Sequence, residues 1–406
     1  MNHKARQLIL HFGFPKTGTS ALQRTLFSQR DRLLESHDTL YPGGFENHFY
    51  LRALFAGRPE SLFQIQMLGL GDRDAISEFL ENYRQDLLTD INITRPDRIV
   101  ISSEDFITMP VNELAMLHLF AKTIAEDVVL FAYVRDPWGE SISLLQEQIL
   151  TGYVAKEAKI TYANSPAQTI SRFEEAFGVQ ANIAPYVKKT ADFNVAVDFC
   201  HRFDFEDLIP AARGHTNVRS SMGRESTCVL LQLNQLYPVF DENNDFISDP
   251  VRDLMRETIS NSQQSRTSLR ISTSTAKEIY ENSLADIQYL EERYFDGRNF
   301  FTEHYNTLQT TDIDDTLSIA TFEPEQLSDF LLSCMYELAL YAVEGDRLAQ
   351  ELKRMKNSRL WKFVSFIQKI IQRSRHFLLP WKSHSESTLQ KVKGMNQTVL
   401  KNIRKN

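Results

Sequence analysis

Apolar positions along the chain fall into two alternating patterns between residues 8 and 212. Strands are predicted at 8–12, 98–103 and 128–134, and the last of these is a continuous apolar run, typical of a strand buried on both faces of a parallel sheet. The segments between these strands place their apolar residues at helical spacing. This alternation predicts an α/β fold, with helices on both faces of a parallel sheet and ligands at the carboxyl ends of its strands.

Turn and capping residues give the predicted bounds of the helices. Ser165 and Gly178 are start and stop signals for one helix, and Pro137 lies in the first turn of another. A further strand is predicted at 193–197. The other predicted helices are 20–34, 74–88, 112–125, 224–236 and 272–294, followed by a helical C-terminal extension that includes a helix from 323 to about 356.

A glycine-bearing loop follows the first predicted strand directly and precedes a helix. In such a loop the backbone N–H groups converge on one point, and the helix N-terminus adds roughly half a positive charge. A lysine adds a full charge, and three hydroxyl side chains add donors. The residues predicted to bind a phosphate here are Lys16, Thr17, Gly18, Thr19 and Ser20.

A second phosphate motif follows the predicted strand at 128–134. Arg135 ends this strand, and Ser143 lies on the next predicted helix. A guanidinium fork and a serine hydroxyl can hold one phosphate together. Because both motifs lie at strand ends, one cleft is predicted to hold one nucleotide with two separate phosphate positions.

The order and spacing of the two motifs resemble those of the PAPS-dependent sulfotransferases, in particular the bacterial carbohydrate sulfotransferases. PAPS is 3′-phosphoadenosine 5′-phosphosulfate. The stretch Pro-Lys-Thr-Gly-Thr-Ser at 15–20 is similar to the family's 5′-phosphosulfate loop, and Arg135 with Ser143 is similar to its 3′-phosphate motif. The resemblance implies a P-loop-like fold and transfer of a sulfuryl group from PAPS to a hydroxyl, with PAP as product and no metal.

The resemblance also suggests roles for single residues. Lys16 is expected to stabilise the leaving 5′-phosphate. Arg219 lies in a segment similar to one that closes over the cofactor in many bacterial sulfotransferases, so it is expected to make a second 3′-phosphate contact. A basic surface loop is the alternative interpretation of that segment.

Two side chains are candidates for the base that takes the proton of the acceptor. Glu104 follows the predicted strand at 98–103, near the position where cytosolic members of the family have a catalytic histidine. His48 lies in a segment that often reaches the acceptor in glycan sulfotransferases, and neutral histidine is a ready base near pH 7. Glu104 is slightly favoured, and one of the two could instead bind substrate. Either residue could also be structural, Glu104 as a cap and His48 as a bonded loop histidine.

The resemblance points to a carbohydrate acceptor, on a polysaccharide or a glycolipid, while a small molecule or a tyrosine peptide stays open. A nucleotide-dependent kinase is a different hypothesis, disfavoured because the ATP loop G-x-x-x-x-G-K-[ST] has another spacing. A third hypothesis is a non-catalytic nucleotide-binding scaffold in polysaccharide assembly. The intact Lys16 and two candidate bases argue against it.

Composition bears on the cellular setting. The three cysteines are scattered and fit no disulfide framework or metal spacing, which favours a reducing compartment. The sequence shows neither a signal-peptide pattern nor an apolar segment long enough to span a membrane. A cytoplasmic location is therefore expected, and no DNA- or RNA-binding module is recognisable.

Charge separates the end of the chain from the remainder. Residues 353–406 contain 14 Lys and Arg and one acid, whereas residues 1–352 contain 31 basic and 52 acidic side chains. Bulky apolar residues at helical spacing interrupt the basic ones, as in interfacial helices. Contact with an anionic membrane and packing on the acidic body are both open. The predicted domains are a sulfotransferase domain at 1–300, a helical extension at 301–352 and a basic amphipathic tail at 353–406.

Overall fold

A computed structural model describes most of the chain up to residue 308. The described residues are 3–66, 68–70, 72–154, 160–162, 165–186, 193–214, 222–241, 247, 249–262, 269–308, 310, 330, 331 and 334. The chain divides into two compact units, Met1–Ser248 with Ile259–Ile319 and Asp249–Thr258 with Ala320–Asn406. The predicted tail at 353–406 lies outside the described residues, as does most of the predicted extension. The three predicted domains stay predictions.

Five parallel strands form one sheet among the described residues of the first unit. They are β1 (Ala5–Phe12), β2 (Thr39–Leu40), β3 (Arg98–Ser103), β4 (Ala125–Val134) and β5 (Asn182–Pro185), arranged in the order β2-β3-β1-β4-β5. The central strand is β1, where Leu8 is paired with Ile99 of β3 and with Val128 of β4. The predicted fold class, an α/β protein with a P-loop-like parallel sheet flanked by helices, is confirmed.

The helices of the described residues follow these strands in alternation. The α-helices are α1 (Thr19–Ser28), α2 (Arg30–His37), α3 (Phe49–Phe55), α4 (Phe63–Gln66), α5 (Arg73–Thr94), α6 (Val111–Ile124), α7 (Pro137–Thr151), α8 (Pro166–Phe177), α9 (Val195–Arg202), α10 (Ile209–Gly214), α11 (Arg224–Leu236), α12 (Pro250–Asn261), α13 (Thr273–Tyr294) and α14 (Phe300–Asn306). Short 3-10 helices occupy Pro59–Ser61, Asp105–Thr108 and Glu206–Leu208. Within the described part of the chain, no helix is long and apolar enough to cross a membrane.

Helices cover the sheet on both faces because alternate residues of the central strand point in opposite directions. On one face Ile9 lies in a buried cluster with Leu22 of α1 and Phe199 of α9. On the other face the ring of Phe12 stacks on that of Phe173 in α8, with 4.1 Å between centroids. Burial of these side chains stabilises the layers by roughly 1.5–3 kcal/mol for each large residue.

The strand predicted at 193–197 was wrong. Helix α9 begins at Val195, and the side-chain oxygen of Asn194 accepts hydrogen bonds from the backbone N–H groups of Ala196 and Val197. The apolar run that suggested a strand is instead the buried side of a helical turn. Asparagine before an apolar run is a helix-start signal, and here it outweighed the alternation of side chains.

Further elements differ from the sequence prediction, among them the helix at 20–34 and strand β5. The helix predicted at 20–34 is interrupted at Gln29, where φ is −110°, so α1 and α2 are separate. Strand β5 had not been predicted, because its four residues end in a proline and form no clear pattern. The predicted caps at Ser165 and Gly178 are confirmed. The Gln168 N–H donates to the Ser165 hydroxyl, and Gly178 takes the left-handed conformation, with φ of 66°.

Candidate functional site

The loop between β1 and α1 is shaped for a close approach of backbone to ligand. Lys16 and Gly18 both have left-handed backbone angles, with φ of 59° and 81°. A Cβ atom on Gly18 would lie 3.0 Å from the side chain of Val195, and one on Gly13 would lie 2.2 Å from the Thr19 side chain. No side chain caps the N-terminus of α1, so its first N–H groups point towards the loop. This is the backbone arrangement that binds anions at helix N-termini.

The predicted hydroxyl donors of the loop have different local roles. The Thr17 hydroxyl is buried and donates to the carbonyl of Phe14 at 2.7 Å, closing the turn. The Thr19 hydroxyl donates to Oε2 of Glu104 at 2.9 Å. Ser20 is half-buried in the first turn of α1. Thr17 therefore shapes the loop, while Thr19 ties the loop to the end of β3.

The second predicted motif meets the first. Arg135 Nη1 donates to the Ser143 hydroxyl at 2.9 Å and to the carbonyl of Lys16 at 3.3 Å. Arg135 therefore joins the two phosphate motifs into one site at the carboxyl ends of β1 and β4. Its buried Nε atom makes no hydrogen bond, although Asp136 Oδ2 lies 3.6 Å away. The guanidinium also faces the ring of Tyr186, 5.7 Å from its centroid.

Helix α7 begins against this guanidinium. Asp136 caps the helix by accepting the Gly139 N–H at 2.6 Å. A Cβ atom on Gly139 would lie 2.8 Å from Nε of Arg135 and 2.5 Å from Oδ1 of Asp136. A larger residue at position 139 would therefore displace the side chain of Arg135 or Asp136. Asp136 is nearly buried, so Arg135 has a fixed counter-charge and a defined orientation.

Glu104 lies directly after β3, beside the loop. Burial raises the pKa of its carboxyl most, and the charges of Asp105 and Glu147 raise it further. The hydrogen bond from Thr19 and the positive charge of Lys16 oppose this shift. A carboxyl group that is half-buried, raised in pKa and next to a lysine has the character of a general base.

His48, the other candidate base, is in a different environment. The ring is buried, with Nε2 lying 2.9 Å from the carbonyl oxygen of Pro42 and Nδ1 accepting the N–H of Ser102 at 3.2 Å. Burial lowers the pKa of His48 to about 4. Both ring nitrogens are thus engaged by the main chain, and the imidazole pins the segment after β2 to β3.

A buried polar layer under the loop had not been predicted. Nδ1 of His11 lies 2.8 Å from the Ser102 hydroxyl, to which the Gln23 side-chain amide donates at 3.2 Å. Burial lowers the pKa of His11 to about 3, so its ring is neutral at ordinary pH. This layer supports the loop from below. The alternation of β1 indicates that residue 11 points to a covered face, but it does not predict these partners.

Glu147 is the residue at the site that sequence reasoning missed most clearly. Its Oε2 lies 3.1 Å from Nζ of Lys16. The available signal was helical spacing, since position 147 comes one turn after Ser143 on α7. Tyr186 had no such signal because β5 was not predicted. Arg219 lies outside the described residues.

A group of aromatic side chains is linked to the end of β3 through Gln64. The Gln64 amide of α4 donates to Oδ1 of Asp105 at 3.2 Å. Next to Gln64, the ring of Phe63 packs against those of Tyr153 and Phe240, with centroids 6.4 and 6.1 Å away. Tyr153 and Phe240 stack at 4.7 Å, and 52% of Tyr153 is exposed. We refer to Phe63, Tyr153 and Phe240 as the aromatic cluster.

Comparisons with known proteins add little to this geometry. No family model matches the chain, and no curated protein matches it. One solved structure, the crystal structure of a sulfotransferase from Alicyclobacillus acidocaldarius, covers 72% of this chain and 96% of its own chain, at 14% identity and a TM-score of 0.33. Among the described residues there is no group of three or more metal-ligating side chains placed to hold an ion.

Proposed function

We propose that the protein is a sulfotransferase that uses PAPS as donor. The observation that carries this proposal is the position of Arg135, which bonds both Ser143 and the carbonyl of Lys16. Two phosphate-binding groups therefore belong to one site but occupy separate positions. A nucleotide with phosphates on both its 3′ and 5′ positions suits such a pair, whereas ATP has all of its phosphates in a single chain.

The residues present suit this donor. The buried Nε of Arg135 has no hydrogen-bond partner and can donate to a phosphate oxygen. The loop around Lys16 is narrow, since a side chain at Gly13 or Gly18 would collide with neighbours. Bound PAPS would supply the sulfuryl group, and the protein would hold its 3′-phosphate at Arg135 and Ser143 and its 5′ end at residues 13–20.

In this proposal Glu104 takes the proton of the acceptor hydroxyl. The acceptor oxygen forms a bond to sulfur, and the bond between sulfur and the bridging oxygen breaks, which leaves a 5′-phosphate. Lys16 neutralises the charge that develops on that phosphate, and no further reactant is needed. Glu104 suits this role better than His48, whose ring nitrogens are both occupied by main-chain partners.

We further propose that the acceptor is a carbohydrate hydroxyl. Support comes from the aromatic cluster, which is linked to the end of β3 through Gln64 and Asp105. Partly exposed aromatic rings next to amide and carboxylate groups suit a ligand with an apolar ring face and polar edges. A pyranose ring has this character. A tyrosine side chain shares part of it, so the acceptor test includes a tyrosine peptide.

The first experiment tests the donor. We expect PAP to raise the melting temperature strongly and ATP to raise it little, because a ligand that binds only the native state stabilises it. At a PAP concentration one hundred times its Kd, the expected stabilisation is about 2.7 kcal/mol. Equal shifts with PAP and ATP would favour a kinase and contradict the proposal.

The second experiment tests catalysis and the acceptor. Radiolabelled PAPS is incubated with the full chain and, separately, with a desulfated polysaccharide, a glycolipid and a tyrosine peptide. We expect label to be transferred to a carbohydrate acceptor, and Tyr153→Ala to raise its KM without changing the Kd of PAP. Strong PAP binding with no transfer to any acceptor would favour the scaffold hypothesis.

We propose, from the sequence alone, that the tail at 353–406 attaches the protein to anionic membrane surfaces. Its basic residues are interleaved with bulky apolar ones such as Trp361, Phe363 and Phe366. Each basic residue near an anionic surface contributes roughly 1 kcal/mol. We expect the full chain to sediment with vesicles of anionic lipid, but not with neutral ones, and truncation before Lys353 to abolish sedimentation. A full chain that stays in solution at low salt would instead have its tail packed on its own acidic body.

A further inference from the structure

The ammonium group of Lys16 has a carboxylate partner within the site. Nζ of Lys16 lies 3.1 Å from Oε2 of Glu147, and the exposed fractions of the two side chains are 27% and 34%. This partial burial distinguishes the pair from surface ion pairs, which contribute little because water screens them. The lysine that would face the donor's 5′ end is therefore already neutralised by the protein's own carboxylate.

Helix α7 and the end of the segment that leads into it hold Lys16 at two points. Arg135 donates to the Lys16 carbonyl, and Glu147 binds the Lys16 ammonium. Ser143 and Glu147 are four residues apart on α7, so they lie on one face of the helix. One turn of this face contacts the arginine of the 3′-phosphate position, and the next turn contacts the lysine of the 5′ position. Lys16 itself has left-handed backbone angles. A residue with such angles keeps them only where contacts with its surroundings hold it in place.

The charge around Lys16 is unfavourable for an anionic ligand. Glu104 and Glu147 are near enough to each other that the charge of Glu147 raises the pKa of Glu104. One ammonium group therefore faces two carboxyl groups. A phosphate or phosphosulfate that binds Lys16 has to replace a carboxylate that is already in place. This competition weakens binding at the 5′ end and leaves the 3′ end unaffected.

We propose that Glu147 is a positioning residue that holds Lys16 in the absence of the nucleotide and yields it when a 5′-phosphate enters. This inference rests on the proposed function, and it assigns a role to Glu147 that PAP binding alone does not require. Its consequence is selective. Removing the Glu147 charge strengthens the binding of ligands that carry a 5′-phosphate. It does not change the binding of ligands that carry only a 3′-phosphate.

The test is calorimetric titration of the full chain with PAP and with adenosine 3′-monophosphate at low salt. We expect Glu147→Gln to tighten PAP binding about three- to tenfold, as removal of a partly exposed competing ion pair allows. We expect no change for adenosine 3′-monophosphate. Glu147→Asp, which keeps the charge, should restore most of the wild-type affinity. Glu126→Gln is the matched control. Glu126 is exposed and lies near the start of β4, whereas the site lies at the carboxyl ends of the strands.

A second variant shows whether Glu147 acts through Lys16. In a Lys16→Met background, Glu147→Gln should no longer tighten PAP binding, because there is no ammonium group to release. An effect that persists in this background would mean simple charge repulsion and would overturn the inference. Equal tightening of both ligands, or no tightening in a protein that binds PAP, would also overturn it while leaving the proposed function standing. Failure of the wild-type chain to bind PAP would refute the proposed function, and this inference with it.

Discussion

The two ends of the candidate site present their positive charge in different surroundings. At the Arg135 end, a fixed guanidinium lies between Ser143 and Asp136, in an arrangement that suits a 3′-phosphate with little rearrangement. At the Lys16 end, an ammonium group faces the carboxyl groups of Glu104 and Glu147. The first end is rigid and has one positive centre in contact with one acid. The second contains a lysine and two acids.

This difference suggests that one end of the site serves chiefly to bind the nucleotide and the other chiefly to catalyse transfer. A rigid fork loses little conformational freedom when it binds, so the Arg135 end suits tight and selective recognition. Carboxylates close to the transfer position weaken ground-state binding but allow a proton to be removed there. Substitution of Arg135 should therefore change chiefly the affinity for PAP, whereas substitution of Glu104 or Lys16 should change chiefly the turnover.

The largest expected effect is at Glu104. Glu104→Gln keeps an oxygen that can accept the Thr19 hydroxyl but cannot take a proton, so we expect turnover to fall about 10²–10⁴-fold. The Kd of PAP should fall slightly, because one of the two carboxylates near Lys16 loses its charge, and Glu126→Gln should behave as wild type. Because the pKa of Glu104 is raised, wild-type turnover should fall on acidification at a higher pH than for an ordinary glutamate. Near-normal turnover of the Glu104→Gln variant would show that Glu104 is not the base.

The next effect is at Lys16. Lys16→Met keeps most of the length of the side chain and removes its charge, and we expect turnover to fall about 10²–10³-fold, as when one transition-state donor is lost. The Kd of PAP should rise by much less, since part of the lost attraction is already offset by Glu147. Lys122→Met, on the exposed side of α6, is the control. An equal loss in turnover and in PAP affinity would show that Lys16 serves binding alone.

Arg135 should show the opposite behaviour. Arg135→Ala is expected to weaken PAP binding by about 1.5–3 kcal/mol, the contribution of a hydrogen bond to a charged group. Titration with PAP and with adenosine 5′-monophosphate measures how much of that loss belongs to the 3′-phosphate. We expect wild type to prefer PAP and the variant to bind both ligands alike. A variant that still prefers PAP would place the 3′-phosphate elsewhere.

The smallest expected effect on function is at His48. His48→Ala removes two buried hydrogen bonds, and we expect it to lower the free energy of unfolding by about 1–3 kcal/mol with nearly unchanged turnover. The pKa of His48 falls from 6.5 when unfolded to about 4 when folded, so the unfolded chain binds more protons between these values. Wild-type stability should therefore decrease as pH falls from 6.5 towards 4, and less steeply in the variant. Thermal unfolding over this pH range measures both effects. A turnover loss of 10²-fold would identify His48 as the base.

Local chemistry made several parts of this protein predictable. The loop at 13–20 combines glycine, lysine and hydroxyl residues between an apolar strand and a helix, a combination typical of a phosphate-binding loop. Caps such as Ser165 and Ser272 act within one turn of the chain, so the sequence predicted those helix starts correctly. The contact between Arg135 and Ser143 was also predictable. The two residues are eight positions apart, at the end of a strand and in the helix that follows it, so the distance between them can vary little.

The sequence by itself therefore determined the fold class, and it predicted that the two candidate phosphate motifs lie at one location. Only the tertiary structure showed that main-chain groups bind both ring nitrogens of His48, which favours Glu104 as the proposed base. It also placed Glu147 against Lys16, although 131 positions separate them in the chain. Charges and hydrogen bonds act through space over a few ångströms. Residues that lie far apart in sequence meet only after the helices have packed on the sheet, and that packing sets the electrostatics of the site.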